Sequence, residues 1–380
     1  MFIGRERELA SLKEFYDKDG IGMTVIYGRR RIGKSTLIAE FVKDKKTIFY
    51  TATKVGKTRN LELFSRQVVD LFMPGMENIS FGTLEAVFDF IDKNIGDEKI
   101  VLVIDELPYW AEKDEALLSV LQKYIDTVWN DKNLKIILCG SALSFMEKKV
   151  LSEKSPLFGR RNSQIKLEAF NYLDAAKFVP NYSNEDKAIC YGITGGVPHY
   201  INKLGVKESV DEALLDNLFD RSSYLYEEPA NLLKQELREP AIYNAIITAI
   251  AQGASRINDI ALKTGQENSV VSKYLGTLID LGIVKKETPV TEKIGKKTIY
   301  ELADNFFRFW YRFVPANMSA IDSGRIQKSY ANSIKKNLPD YMGLTFEHMC
   351  RDYLLYYEKD LPIELNQVGQ WWGTDNKNKK

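Results

Sequence analysis

Gly28-Arg29-Arg30-Arg31-Ile32-Gly33-Lys34-Ser35 fits the pattern G-x-x-x-x-G-K-[ST] in full. Chance produces that pattern in about one chain in a hundred of this length. Each residue type has a chemical reason. Gly28 and Gly33 let the backbone fold its N–H groups around phosphate oxygens. A helix starting near Lys34 directs its positive end at the same anion. Lys34 is placed for β- and γ-phosphates, and Ser35 offers a hydroxyl to Mg2+. Ile32 and Thr36 complete the loop and its first helical turn. Arg29, Arg30 and Arg31 read either as ligand contacts or as a solvated loop tip.

The flanks agree with this reading. Residues 23–27 (MTVIY) form a short apolar strand, and 34–42 have helical spacing with Leu37, Ile38, Phe41 and Val42 on one face. Further strands are expected at 47–52, 99–104, 135–139 and 163–167, with helices near 60–71, 83–94 and 116–129. Continuous apolar strands separated by helices imply a parallel sheet covered on both faces, an α/β fold. Val101-Leu102-Val103-Ile104-Asp105-Glu106 is such a strand ending in two carboxylates. An open α/β sheet places its ligand at that end. Asp105 is expected to hold Mg2+, directly or through water. Glu106 is the candidate general base, and its presence argues for hydrolysis over binding alone.

Beyond Glu168 the strand signals stop, and helices are expected at 171–179, 184–191 and 207–219. From 237 a different unit begins, with helices at 241–251, 256–263 and 267–281, then strands at 283–287 and 298–301 around a Lys-rich turn. Three helices followed by two strands outline a winged helix-turn-helix. The expected domains are a P-loop core over 1–168, a helical lid over 169–236, the winged unit over 237–303 and a partial α/β segment over 304–380.

Composition sets bounds on function. The 380 residues carry 53 Lys and Arg against 52 Asp and Glu, a net charge of +1. That balance argues against a basic nucleic-acid coat and against an acidic tail protein. The hydrophobic share of 44% suits a globular chain. No apolar run approaches the ~20 residues of a membrane span, and the first residues have no signal-peptide core, so a cytoplasmic location is expected. Three scattered cysteines and two histidines suggest buried thiols in a reducing compartment, with neither disulfides nor structural zinc.

Together these residues resemble the AAA+-like archaeal-type ATPase family, related to the STAND signalling ATPases. Phe2-Ile3-Gly4-Arg5-Glu6-Arg7-Glu8-Leu9 is similar to its F-x-G-R-E-x-E-L motif, which implies that Gly4 and Arg5 lie beside the adenine of ATP. Cys139-Gly140-Ser141 stands where the family has its sensor residue, so Ser141 is the candidate. Pro156-Leu157-Phe158-Gly159-Arg160 precedes the fifth strand, and the resemblance implies an arginine finger at Arg160, with Arg161 second. Gly195-Gly196-Val197-Pro198 is similar to the G-x-P motif of STAND and origin-recognition ATPases, which implies a lid contact to nucleotide at Pro198. The turn-forming composition alone explains that stretch equally. The resemblance covers residues 1 to about 225, extends to about 300, and implies ATP and Mg2+ as ligands.

The tail resembles the domain of unknown function that accompanies these ATPases and looks like a PD-(D/E)xK nuclease fold. Phe346-Glu347 and Trp371-Trp372-Gly373 match its pattern. The further metal-binding acid and the lysine do not follow, and Asp375 and Lys377 are poor substitutes. The tail is therefore expected to be a fragment or a domain that does not cut, with apolar surface left open near Trp371 and Trp372.

Three functions compete. The first is an ATP-binding, slowly hydrolysing switch. The second is a nucleotide-sensing regulator that binds duplex DNA through the helix at 267–281, whose outward residues are read as Gln266, Asn268, Ser269, Ser272, Lys273 and Tyr274, with Lys293, Lys296 and Lys297 on the wing. Glu267, Asp280, Glu287 and Glu292 dilute that charge. The third, an ATP-gated nuclease, is disfavoured by the missing motifs. A protein partner or homo-oligomer is compatible with the first reading, since an arginine finger acting in trans requires a second copy. No membrane partner is expected.

Overall fold

A computed structural model describes residues 2–76, 78–289, 298–365 and 368–372. The chain divides into two compact units, Met1–Glu168 and Ala169–Lys380.

The first unit is built on a five-stranded parallel sheet in the order β2-β3-β4-β1-β5. In chain order it runs α1 (Glu6–Asp17), β1 (Gly22–Tyr27), α2 (Lys34–Val42), β2 (Thr47–Thr51), α3 (Lys57–Phe72), α4 (Leu84–Ile95), β3 (Ile100–Asp105), α5 (Leu107–Ala111), α6 (Leu117–Lys123), β4 (Leu134–Gly140), α7 (Leu143–Phe145) and β5 (Ser163–Lys166). Strands β1, β3 and β4 are buried along their whole length. Their side chains alternate between two cores. Val101, Val103, Ile137 and Cys139 face α2 residues Leu37, Ile38 and Phe41. Leu102, Ile104, Ile136 and Leu138 face Phe64, Phe88, Trp110 and Trp129. A strand buried on both faces has no polar side to alternate, so it reads as an unbroken apolar run.

The helix expected at 116–129 is divided, with a π-helical turn at Tyr124–Val128 after α6. A second π-helical turn, Met146–Val150, follows α7.

The second unit forms helices, irregular chain and one hairpin among its described residues. It runs α8 (Tyr172–Ala176), α9 (Asn184–Thr194), α10 (Pro198–Leu204), α11 (Val210–Leu218), α12 (Tyr224–Glu236), α13 (Pro240–Ala251), α14 (Ile257–Thr264) and α15 (Asn268–Asp280). Antiparallel β6 (Val284–Glu287) and β7 (Ile299–Leu302) follow, then α16 (Asn305–Phe313), α17 (Met318–Asp322), α18 (Ile326–Ser329) and α19 (Lys335–Tyr356). Lys293, Lys296, Lys297 and Glu292 of the expected wing lie outside the described residues, as do Gly373, Asp375 and Lys377. The described residues after Asp304 form helices and irregular chain. No helix among the described residues is long and apolar enough to cross a membrane.

Pro198 is the first residue of α10, behind a tight turn. Gly195 and Gly196 have φ of 60° and 73°. The Phe170 N–H donates to the Gly196 carbonyl at 2.9 Å. A Cβ on Gly196 would fall 1.9 Å from the Phe170 carbonyl oxygen. Backbone cannot yield as a flexible side chain does. Gly196→Ala is therefore expected to destabilise the second unit by at least about 2 kcal/mol. Its thermal midpoint should drop by about 5 °C or more. An unchanged melting curve would show that the turn relaxes freely.

Candidate functional site

Three strand ends converge at the carboxyl edge of the sheet. The loop 28–35 follows β1, Asp105 and Glu106 end β3, and Gly140 and Ser141 end β4, which lies between the other two. Ser35 Oγ donates to Asp105 Oδ2 at 2.6 Å. Ser141 Oγ donates to Glu106 Oε2 at 2.8 Å, and its backbone N–H approaches the same oxygen at 3.4 Å. Lys34 Nζ donates to the carbonyl oxygens of Gly28 at 3.0 Å and Arg29 at 2.9 Å. Burial lowers the pKa of the Lys34 ammonium, opposed by neighbours that include Glu106 and Asp105. Lys34, Ser35, Asp105, Glu106 and Ser141 thus form one connected site.

The backbone here is held in sparsely populated conformations. Arg5, Arg31 and Glu106, at φ of 69°, 71° and 50°, are the non-glycine residues with positive φ among the described residues. Such strain persists only where the surroundings enforce it. Arg5 shows how. Its guanidinium donates to the carbonyls of Ile32 at 3.3 Å and Glu168 at 2.5 Å, and it pairs with Glu8 at 3.1 Å. That side chain ties the start of α1 to the loop and to Glu168, two residues after β5. Gly4 beside it also has positive φ, 66°. Gly28 has no room for a side chain, since a Cβ would lie 2.3 Å from the Leu167 carbonyl oxygen and 2.6 Å from Ile32 Cδ1. Ile32 is fully buried in the core with Leu37 and Ile38, so it offers the loop its backbone alone. Thr36 is exposed on the first turn of α2.

A hydroxyl and a carboxylate in hydrogen-bond contact are hard oxygen donors of the kind Mg2+ selects. Ser35 and Asp105 therefore fit the ion. Cys139, beside Asp105, is fully buried, and burial pushes its thiol well above the usual range.

The other candidates have partners of their own. Arg160 is engaged with Asp126, through Nε at 3.0 Å and Nη2 at 2.9 Å, and with the Phe158 carbonyl. Arg161 donates to the Leu151 carbonyl at 2.8 Å. Pro198 belongs to the second unit. Glu347 on α19 is held by Arg351 and, at 2.6 Å, by Gln370. Burial raises its pKa, yet those hydrogen bonds outweigh burial and keep it below the usual value. Tyr274, read from the sequence as outward-facing, is buried and donates to Glu239, because α15 turns that position toward α13.

Two neighbours of the loop, Tyr109 and Lys54, carry no sequence signature. Arg30 Nη2 donates to the Tyr109 hydroxyl at 2.5 Å. Lys54, after β2, lies 5.0 Å from the Tyr109 ring centroid.

The family described as ATPase domains predominantly from Archaea matches residues 2–204, and a family described as archaeal and bacterial proteins of unknown function matches residues 310–380. The chain is 32% identical over 375 residues to an uncharacterized protein of Methanocaldococcus jannaschii, covering 98% of this chain and 82% of that protein. An uncharacterized ATP-binding protein of the same organism is 23% identical over 279 residues, 61% of this chain and 76% of that one. Among solved structures, a Walker-type ATPase of Pyrococcus abyssi superposes with a TM-score of 0.61 at 18% identity, covering 82% of this chain and 96% of that one. The ORC2 protein of Aeropyrum pernix gives 0.56 at 17% identity, covering 85% and 95%. These last two likenesses are likenesses of fold.

The burial of Cys139 predicts that the site has no reactive thiol. Cys190 is also buried, with its thiol pushed up to about 12, whereas Cys350 is exposed. The native protein at neutral pH should take up one equivalent of a thiol reagent rapidly, at Cys350. Rapid labelling of Cys139 would contradict the packing of the site.

Proposed function

The chain belongs to the family of ATPase domains predominantly from Archaea, and from that premise we propose that it is an ATP-driven switch that hydrolyses ATP slowly. The observation that carries this reading is the pair of contacts Ser35–Asp105 and Ser141–Glu106. They join phosphate loop, acidic pair and polar strand end in one place.

In this reading Lys34 exchanges the carbonyls of Gly28 and Arg29 for β- and γ-phosphate oxygens. The N–H groups of the loop from Gly28 to Ser35 cradle the same phosphates. Ser35 and Asp105 would hold Mg2+, which would supply positive charge beside the phosphates. Glu106 takes a proton from water as the water oxygen bonds to the γ-phosphorus. The bond to the β–γ bridging oxygen breaks, releasing ADP and phosphate. Ser141 orients the Glu106 carboxylate. Following the family resemblance, Gly4 and Arg5 border the adenine and Pro198 is the lid contact. Residues 1–168 then act as the core, 169–236 as a lid, 237–303 as a winged unit and 304–380 as a nuclease-like domain, in a cytoplasmic protein. An arginine finger at Arg160 would act in trans and would first have to leave Asp126, so a homo-oligomer or another partner would provide the trigger.

A second reading, duplex DNA binding, draws on one observation. Asn268, Ser269, Ser272 and Lys273 are all exposed on α15. Phosphate contacts there would make the logarithm of the binding constant fall linearly with the logarithm of salt concentration.

Lys34→Ala is expected to abolish ATP binding in isothermal titration, because it removes the cation that the loop aims at the phosphates. Near-native affinity would overturn the assignment. Glu106→Gln should retain ATP binding and lose turnover by about a hundredfold, since an amide cannot accept the proton. Phosphate release at the parental rate would place the general base elsewhere.

A further inference from the structure

Tyr109 stands three residues past Glu106, and its N–H donates to the Glu106 carbonyl at 3.0 Å. The phenol is therefore built on the same turn as the carboxylate. Its neighbours on α5 hold that turn in place. Leu107 and Trp110 are fully buried. Pro108 sits so close to the end of β4 that a Cβ on Gly140 would come within 2.8 Å of Pro108 Cδ. Tyr109 thus has a fixed base, and two cations meet its ring. Arg30 donates to its hydroxyl at 2.5 Å, with the guanidinium carbon 5.9 Å from the ring centroid. Lys54 approaches to 5.0 Å from the loop after β2.

Arg30 starts from the loop after β1, and Tyr109 from the turn after β3. The end of β4 lies between them. A side chain that spans these points crosses the gap between the phosphate loop and Glu106. Under the mechanism above, this gap receives the γ-phosphate and the attacking water, and a diphosphate stops short of it. We infer that Tyr109 is a positioning residue that holds Arg30 across this gap, and that Arg30 is the cation that distinguishes ATP from ADP. The inference rests on the ATP reading of the site and adds to it the group that reads the terminal phosphate.

The chemistry suits the role. A guanidinium offers several N–H donors in one plane, which matches phosphate oxygens better than a point charge does. The phenol hydroxyl accepts from that guanidinium as a neutral group and adds no charge of its own. Lys54 on the same ring adds positive potential that a terminal phosphate relieves. Lys34, held on the loop's own carbonyls, addresses β- and γ-phosphate oxygens from the loop side, so its loss affects both nucleotides.

The experiment measures binding of a non-hydrolysable ATP analogue and of ADP, each with Mg2+, together with steady-state ATP turnover, on Arg30→Ala, Arg30→Lys, Tyr109→Phe and Lys34→Ala. Tyr109→Phe keeps the ring and removes only the hydroxyl, so the packing of α5 is preserved. Arg30→Ala should weaken the analogue by about ten- to a hundredfold, the value of a hydrogen bond to a charged group, and leave ADP within about twofold. Arg30→Lys should recover part of that loss. Tyr109→Phe should weaken the analogue and raise KM for ATP by up to about tenfold, the value of a neutral hydrogen bond, and leave ADP within about twofold. Equal loss of both nucleotides in Arg30→Ala, or parental analogue affinity in Tyr109→Phe, overturns the inference. Lys34→Ala separates this failure from that of the site. If it loses both nucleotides while Arg30→Ala keeps the parental ATP-to-ADP ratio, the site stands and the role of Arg30 falls. If it binds both normally, the site falls and the role of Arg30 with it.

Discussion

The hydrogen bond from Ser35 to Asp105 joins elements that follow β1 and end β3, two strands that are not neighbours in the sheet. It can form only because β4 separates them by a single strand and keeps both in register. Cys139 pairs with Ile26 on one side, and Leu138 pairs with Ile104 on the other. Alternate residues of all three strands enter opposite cores, so a slip of one position would exchange the two sets of side chains. The apolar packing of the sheet therefore aligns the polar ends. Everything chemical in the first unit stands on that alignment.

Once aligned, the site is kept under strain. Positive φ at Arg5, Arg31 and Glu106 costs roughly 1–3 kcal/mol at each position. Each is clamped by a neighbour of different chemistry. Arg5 has the carbonyls of Ile32 and Glu168. Arg31 follows Arg30, which is fastened to Tyr109. Glu106 leads into α5, whose Trp110 is buried against Tyr50 and Phe64. The left-handed turn at Glu106 aims its carboxylate at Ser141, where a helical or extended conformation would send the chain elsewhere. Buried aromatic packing thus holds a carboxylate at an angle that its own backbone disfavours.

The strands and the long helices of the first unit were legible because burial on two faces leaves an unbroken apolar run and burial on one face leaves a helical period. Residues 34–42 are a helix in both readings, and the acidic pair does end β3. What was illegible lacked a period or depended on distance along the chain. Helix α5 spans five residues, too few to show a repeat. Helix α12 contains Pro229, a helix-breaking signal that the surrounding packing overrides. Tyr109 is 79 residues from Arg30, and Asp126 is 34 residues from Arg160, so neither partnership leaves a local trace. Tyr274 was assigned to the wrong face because its contact with Glu239 comes from another helix.

The central claim is that the three strand ends form one Mg2+-dependent ATP site. Its most direct test is isothermal titration of the intact protein with ATP, with and without Mg2+, followed by measurement of phosphate release from the same sample. The account predicts one ATP bound per chain, tighter binding with Mg2+, and slow phosphate release that needs the ion. Absence of saturable binding with Mg2+ present, or binding and hydrolysis indifferent to the ion, would contradict it.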